Sequence, residues 1–363
     1  MTDQVYARKS RKGLFAIIAV IVAALVAAYF LFAGGDDSDA SEGDGPNAGQ
    51  TISIVGFAVP EAANKAIAAE FNKTDEGKGV TFKTSYGASG DQSRAVEGGL
   101  KADYVHLSVA TDVDRLVKAG LVDENYDKGE NKGIVSSSVV VLGVRDGNPK
   151  NIQSWDDLIK PGVGIVTANP ASSGAARWNA LGAWTHITEN GGTEAEATTF
   201  VDALFKNVVS LTNSGRDATQ SFLDGNGDVL IAYENEAILA AQNDQGFDYV
   251  IPETTFKIEN AGAILKDATP AAQDWLDFVL SDEGQKQFAL KGFRPIRDDV
   301  DYGGTVEGAP DPKKPFPAIK HLVTLDDIGG WAAVKDKLFG DGKDGAPVGI
   351  VTQSIEKSGK ASQ

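Results

Sequence analysis

Along most of this chain, short apolar runs alternate with stretches whose apolar residues recur at helical spacing. ISIVGF (52–57), VTFKTSY (80–86) and YVHLSV (104–109) are rich enough in apolar and β-branched residues to read as strands. EAANKAIAAEF (61–71), residues 91–100 and DVDRLVKAGLV (112–122) carry the helical period. SSVVVLGV (137–144) reads as a strand that stops at the turn RDGNP, and SWDDLIKPG follows as a short helix. Then come strands GVGIVTAN, NVVSLT and DVLIAY, with helices AARWNALGAWTHI and TEAEATTFVDALF between the first two. This alternation predicts an α/β fold with parallel sheets. Residues 252–263 look extended, and residues 270–290 hold two helical segments. Such a path crosses between two lobes and returns, leaving an interlobe cleft for a small ligand. A proline- and glycine-rich stretch (304–320) leads to a last helix, LDDIGGWAAVKDKLF, and the tail after Gly349 is polar and reads as loose.

The N-terminus breaks this pattern. Arg8, Lys9, Arg11 and Lys12 precede an uncharged apolar run, residues 14–33. At about 1.5 Å per residue it spans roughly 30 Å, the thickness of a bilayer core. Cleavable signal peptides carry shorter apolar regions, roughly 7–15 residues. The pattern therefore predicts a single N-terminal transmembrane helix kept as an anchor, with a signal peptide cut near Ala33 as the alternative. The basic segment 1–13 stays in the cytoplasm and everything after Gly34 lies outside the cell membrane. Residues 34–50, GGDDSDASEGDGPNAGQ, read as a flexible acidic linker.

Composition narrows the function. A chain of 363 residues holds two compact units of ordinary size. Its net charge of −17 argues against nucleic acid as a partner. It has no cysteine, which excludes disulfides, thiolate metal sites and a lipidated cysteine.

Candidate chemistry sits where strands meet helices. Three apolar runs stop at Ser-Gly just before a helical stretch: Ser89-Gly90, Ser173-Gly174 and Ser214-Gly215. A helix start presents unpaired N–H groups and a partial charge of roughly +0.5. Glycine admits a close approach of backbone, and serine adds a hydroxyl donor. Such starts facing one cleft form a socket for a small anion without lysine or arginine.

At the second junction the sequence becomes specific. Residues 144–179 read VRDGNPKNIQSWDDLIKPGVGIVTANPASSGAARWN. This segment resembles the sulfate/thiosulfate-binding proteins of bacterial ABC importers. GASGDQSR (87–94), ALFKNV (203–208), DVLIAYENEA (228–237) and SDEGQKQFALKGFRPIR (281–297) extend the resemblance in order. It implies a two-lobed, type II periplasmic-binding-protein-like clamshell over residues 51–340. Lobe 1 would comprise 51–137 and 238–340, lobe 2 would comprise 138–237, and 341–363 would be a polar tail. It also implies a ligand set: the hydroxyls of Ser89 and Ser173, the N–H groups of Ser173, Gly174, Ala175, Gly215 and Ala58, and the Tyr233 side chain. Three positions depart from the family's pattern. Ala58 stands where relatives often carry aspartate, Gly174-Ala175 replaces Gly-Gly, and Tyr233 replaces an indole donor.

Sulfate is a dianion with no proton to give, so a receptor for it should present donors only. The resemblance implies capture of sulfate, or thiosulfate, by a monomer that delivers it to ABC permease subunits. Molybdate or tungstate is the alternative guest, and a non-transport sensing or adhesion module the alternative role.

Plainer readings of the same residues remain. Ser89 with Gln92 fits a capping box. Arg177 reads as a structural ion-pair residue, and the five tryptophans read as packing. Glu234 and Glu236 are spaced too awkwardly to converge on one reacting atom, and the run from Asp224 (DGNGDV) fails as a calcium loop at Val229 and Asn235. His106, His186 and His321 lack metal-ligand spacing, and no Walker A or G-x-S-x-G motif is present. The sequence therefore predicts a receptor without cofactor or metal, not an enzyme.

Overall fold

A computed structural model describes residues 45–343 and 345–360. The predicted anchor (14–33), the basic segment before it and residues 34–44 of the predicted linker lie outside the described residues. Among the described residues, no helix is long and apolar enough to cross a membrane.

Three parallel strands open the fold: β1 (Thr51–Phe57), β2 (Thr81–Gly87) and β3 (Tyr104–Leu107). Each leads into a helix: α1 (Glu61–Phe71), α2 (Ser89–Glu97) and α3 (Ala110–Lys118). The long strand β4 (Ile134–Val144) then carries the chain to a second parallel group. There β5 (Ile165–Ala168) is followed by α4 (Gly174–Thr188) and α5 (Glu194–Asn207). Next come β6 (Val208–Thr212), α6 (Gly215–Leu223), β7 (Val229–Tyr233) and α7 (Glu234–Gln242). The chain returns through β8 (Asp248–Val250) and a second long strand, β9 (Thr254–Ile264), to α8 (Ala271–Leu280) and α9 (Asp282–Leu290). A strap of β10 (His321–Val323), α10 (Gly330–Phe339) and α11 (Ile350–Lys357) closes the order.

The strands join in the order β2-β1-β3-β9-β4-β7-β5-β6. β9 runs antiparallel to both β3 and β4, and β4 runs antiparallel to β7. The sheet is therefore mixed, which corrects the expectation of parallel sheets. The physical reason is the double crossing: a chain that leaves one group and comes back must run in both directions through the join. β8 still pairs with the second-group end of β4, at Leu142 to Val144.

Apolar residues of these strands and helices form the core. Ile52, Ile54, Val140, Leu142, Ile165 and Ile231 are buried from the strands. On α4, Trp178, Leu181 and Trp184 are buried together, so this helix is enclosed on most sides.

Two further expectations change. The tail is not loose: α11 buries Val351 fully and Ile355 nearly so. Ser354 Oγ donates to Asp202 Oδ1 at 2.5 Å, and Lys357 Nζ lies 2.9 Å from Asp202 Oδ2. Two apolar residues one turn apart make too thin a stripe to stand out in sequence, and α5 supplies the missing partner. The end of the predicted linker is also held. Asn47 Nδ2 donates to Asp274 Oδ2 at 2.7 Å and to Glu76 O at 3.0 Å.

Candidate functional site

In both groups the carboxyl ends of the parallel strands turn directly into helices, and these turns meet. Open α/β sheets characteristically bind ligands at such ends. Ser173 caps α4, its Oγ accepting from Ala176 N at 3.4 Å. Ser214 caps α6, accepting from Asp217 N at 3.1 Å. Tyr233 occupies the cap position of α7 without a side-chain cap bond. Ser89 differs from the capping-box expectation: Ala88 is the cap, and Ser89 is the first helical residue of α2. Ala58 follows β1 directly.

Contacts between the turns are close. Gly90 N donates to Ser172 O at 2.9 Å, linking the first and second junctions. A Cβ on Gly174 would lie 2.7 Å from Ser108 Cβ and 2.9 Å from Ser108 Oγ. A Cβ on Gly215 would lie 3.1 Å from Ala175 Cβ and 3.2 Å from Val59 Cγ2. The structure thus brings the three Ser-Gly starts and the loop at Ala58 together. Ser89, Ser173, Gly174, Ala175 and Tyr233 are buried there, and Ala58 and Gly215 are half-buried.

Hydrogen bonding sorts the expected donors. The N–H groups of Gly174, Ala175 and Gly215 have no acceptor among the described residues. These are first-turn groups of α4 and α6, which intrahelical bonding leaves over. Three other expected donors are engaged within the protein. Ser173 N donates to Asn169 O at 2.8 Å and Ala58 N to Gly87 O at 2.9 Å. Ser89 Oγ donates to Asp112 Oδ2 at 2.6 Å and accepts from Ser108 N at 2.9 Å. Tyr233 Oη lies 2.7 Å from Ser108 Oγ and accepts from Asn260 Nδ2 at 3.1 Å. Burial pushes its phenol up, so it keeps its proton.

Ser108, Asp112 and Asn260 were not legible as site residues. Ser108 follows β3 with no glycine after it, Asp112 reads as a solvated charge on an amphipathic helix, and Asn260 sits inside β9. Only the fold places them here.

The nearby charges are paired off. Arg177 Nε donates to Pro170 O at 3.2 Å and Nη1 to Thr111 Oγ1 at 3.1 Å, with Asp112 Oδ1 at 3.9 Å. Arg216 Nη2 donates to Val59 O at 3.0 Å and lies 2.8 Å from Glu236 Oε1. Glu234 takes Arg294 in a fork, Nε at 2.7 Å and Nη2 at 3.0 Å. Burial pushes both glutamates up, and their arginines oppose that shift. The two carboxylates therefore face different partners and do not converge.

The site is thus made of helix starts, hydroxyls and small residues at the mouth of two strand groups, with the buried Asp112 carboxylate behind Ser89. A family model described as bacterial extracellular solute-binding protein matches residues 52–294. The chain belongs to this family. Within it, the chain is 41% identical over 320 residues to the sulfate-binding protein of Synechococcus elongatus, covering 85% of this chain and 89% of that one. It is 34% identical over 281 residues to the thiosulfate-binding protein of Pseudomonas aeruginosa, covering 74% and 82%. The solved structure of the sulfate-binding protein SubI from Mycobacterium tuberculosis superposes with a TM-score of 0.75 at 42% identity. That match covers 80% of this chain and 99% of SubI. The periplasmic-binding-protein-like fold of the family is the fold described above.

Proposed function

We propose that this protein is an extracytoplasmic receptor that captures sulfate, or thiosulfate, and delivers it to an ABC permease. One observation carries the chemistry. The unpartnered N–H groups of Gly174, Ala175 and Gly215 belong to two helix starts in contact with each other, while Arg177 and Arg216 are committed elsewhere. Two helix N-termini attract an anion, and neutral donors alone suit a dianion that has no proton to share. The relatives named for sulfate and thiosulfate support the same guest.

On this reading the two strand groups are the lobes of a clamshell, hinged on β4 and β9. Gly174, Ala175, Gly215, Ser173 and Tyr233 supply donors, and Ala58 and Ser89 line the wall. The bound form is the closed one, which the permease recognises. The protein acts as a monomer and performs no chemistry on its guest. The apolar run 14–33 keeps it at the cell membrane with the receptor outside.

Calorimetry on the purified full chain with sulfate, thiosulfate, molybdate and phosphate tests this. Sulfate or thiosulfate is expected to bind, and molybdate and phosphate are expected not to compete. Tight molybdate binding without sulfate binding would overturn the choice of guest.

A further inference from the structure

Ser108 uses every polar atom it has. Its N–H donates to Ser89 Oγ at 2.9 Å, and its carbonyl accepts from Trp178 Nε1 and from Asn260 Nδ2, each at 2.9 Å. Its hydroxyl meets the Tyr233 hydroxyl at 2.7 Å. Ser108 ends the β3 turn of the first strand group, while Tyr233 and Trp178 belong to the second. Ser108 and Tyr233 are both buried.

Asn260 Oδ1 accepts from Ser136 Oγ at 3.1 Å, so the amide's Nδ2 faces Tyr233 and can only donate. The Ser108 and Tyr233 hydroxyls carry one proton each, and their mutual bond consumes one of the two. Whichever hydroxyl donates in that bond, the other's proton has no acceptor among the described residues. A buried O–H left without a partner is costly. The unpartnered N–H of Gly174 is alongside, since the Cα of Gly174 packs on Ser108.

We infer that Ser108 is an anion-binding residue of this receptor: it and Tyr233 together present one hydroxyl proton to the guest, and either hydroxyl can deliver it. This rests on the oxyanion-receptor reading and adds to it a donor assembled from both strand groups. The pair forms only when the groups are in contact, so the shared arrangement exists only in the closed form. It also explains how a phenol can serve at this position. Asn260 and Ser108 fill its lone-pair sides, which leaves its own proton, or the proton of Ser108, for the anion.

The test is a double-variant cycle on the full chain, read by calorimetry with sulfate or with whichever oxyanion of the panel the wild type binds. In Ser108→Ala, Tyr233 still has a proton to give. In Tyr233→Phe, Ser108 does. Each single variant is expected to weaken binding by no more than about tenfold, the range of one neutral hydrogen bond. The double variant loses the shared donor to a charged oxygen, and its loss is expected to exceed the product of the single losses by at least about fivefold. The same cycle on the unfolding midpoint without anion is expected to be additive. Additive losses in affinity, or equal synergy without anion, would overturn the inference. If Ser108→Ala does not fold, Tyr233→Phe decides: a loss beyond about tenfold, more than one neutral hydrogen bond is worth, overturns it, and a loss within tenfold supports it. A wild type that binds no oxyanion defeats the receptor reading itself, and this inference with it.

Discussion

Gly174→Ala adds a single methyl at a tight contact between the two strand groups. That methyl would sit 2.7 Å from Ser108 Cβ and 2.9 Å from its Oγ, with Val109 Cγ2 at 3.2 Å. Ordinary carbon contacts need roughly 3.5–4.0 Å, so the α4 start and the β3 end must separate by about 1 Å. Three of the hydrogen bonds that cross between the groups are made here: Tyr233 to Ser108 at 2.7 Å, Trp178 Nε1 to Ser108 O at 2.9 Å and Gly90 N to Ser172 O at 2.9 Å. Lengthened by that much, they pass out of hydrogen-bonding range. At about 0.5–1.5 kcal/mol each, they account for about 1.5–4.5 kcal/mol of closure. Because closure assembles the donors, sulfate affinity should fall by at least about tenfold and by as much as about 2000-fold. The helix itself gains, since alanine is the better helix former by up to about 1 kcal/mol. The unliganded protein should therefore melt no lower than wild type. Calorimetry with sulfate and a melting curve without it separate the two effects. Gly215→Ala is the control: its methyl meets Ala175 and Val59 at 3.1 and 3.2 Å, a shortfall of only a few tenths of an ångström, and its loss should be smaller. Affinity of Gly174→Ala within about twofold of wild type would show that this contact does not control closure, because a twofold change is less than one lost hydrogen bond is worth.

Two further predictions follow from the site and the core. Ser173 makes only a long cap bond at 3.4 Å, so Ser173→Ala should cost little stability, near the lower end of about 0.5–2 kcal/mol for a lost cap. If its hydroxyl reaches the anion, sulfate affinity should fall roughly 10- to 150-fold in calorimetry, and a loss below twofold shows that it does not. His106 is fully buried, and burial lowers its pKa from 6.5 to about 3. The unfolded chain therefore binds the extra proton first, and stability present above pH 6.5 is lost as pH falls toward 3, by up to about 1.4 kcal/mol per pH unit. Glu234 and Glu236, with raised pKa values, act with the opposite sign, so the comparison must be made between variants. Urea unfolding of His106→Gln against wild type should show a flatter acid limb, and parallel curves would refute the assignment.

Strands and helices were largely legible because one side-chain period governs each of them locally. EAANKAIAAEF forms α1 with the expected bounds, Glu61–Phe71, and NVVSLT and DVLIAY form β6 and β7. The three Ser-Gly junctions were legible too, since a strand stop, a small residue and a helix start are written in neighbouring positions. α11 was not, because Val351 and Ile355 acquire meaning only against α5.

Sequence alone determined most of the elements, their order and the presence of neutral donors at helix starts, because those depend on residues next to one another. Tertiary structure alone decided which donors are free. The Ser89 proton goes to Asp112, the Ala58 N–H goes to Gly87, and the Tyr233 hydroxyl meets Ser108, a partner 125 positions away in the chain. A hydrogen bond is spent on whichever acceptor the fold brings within about 3 Å, and chain order carries no record of that distance.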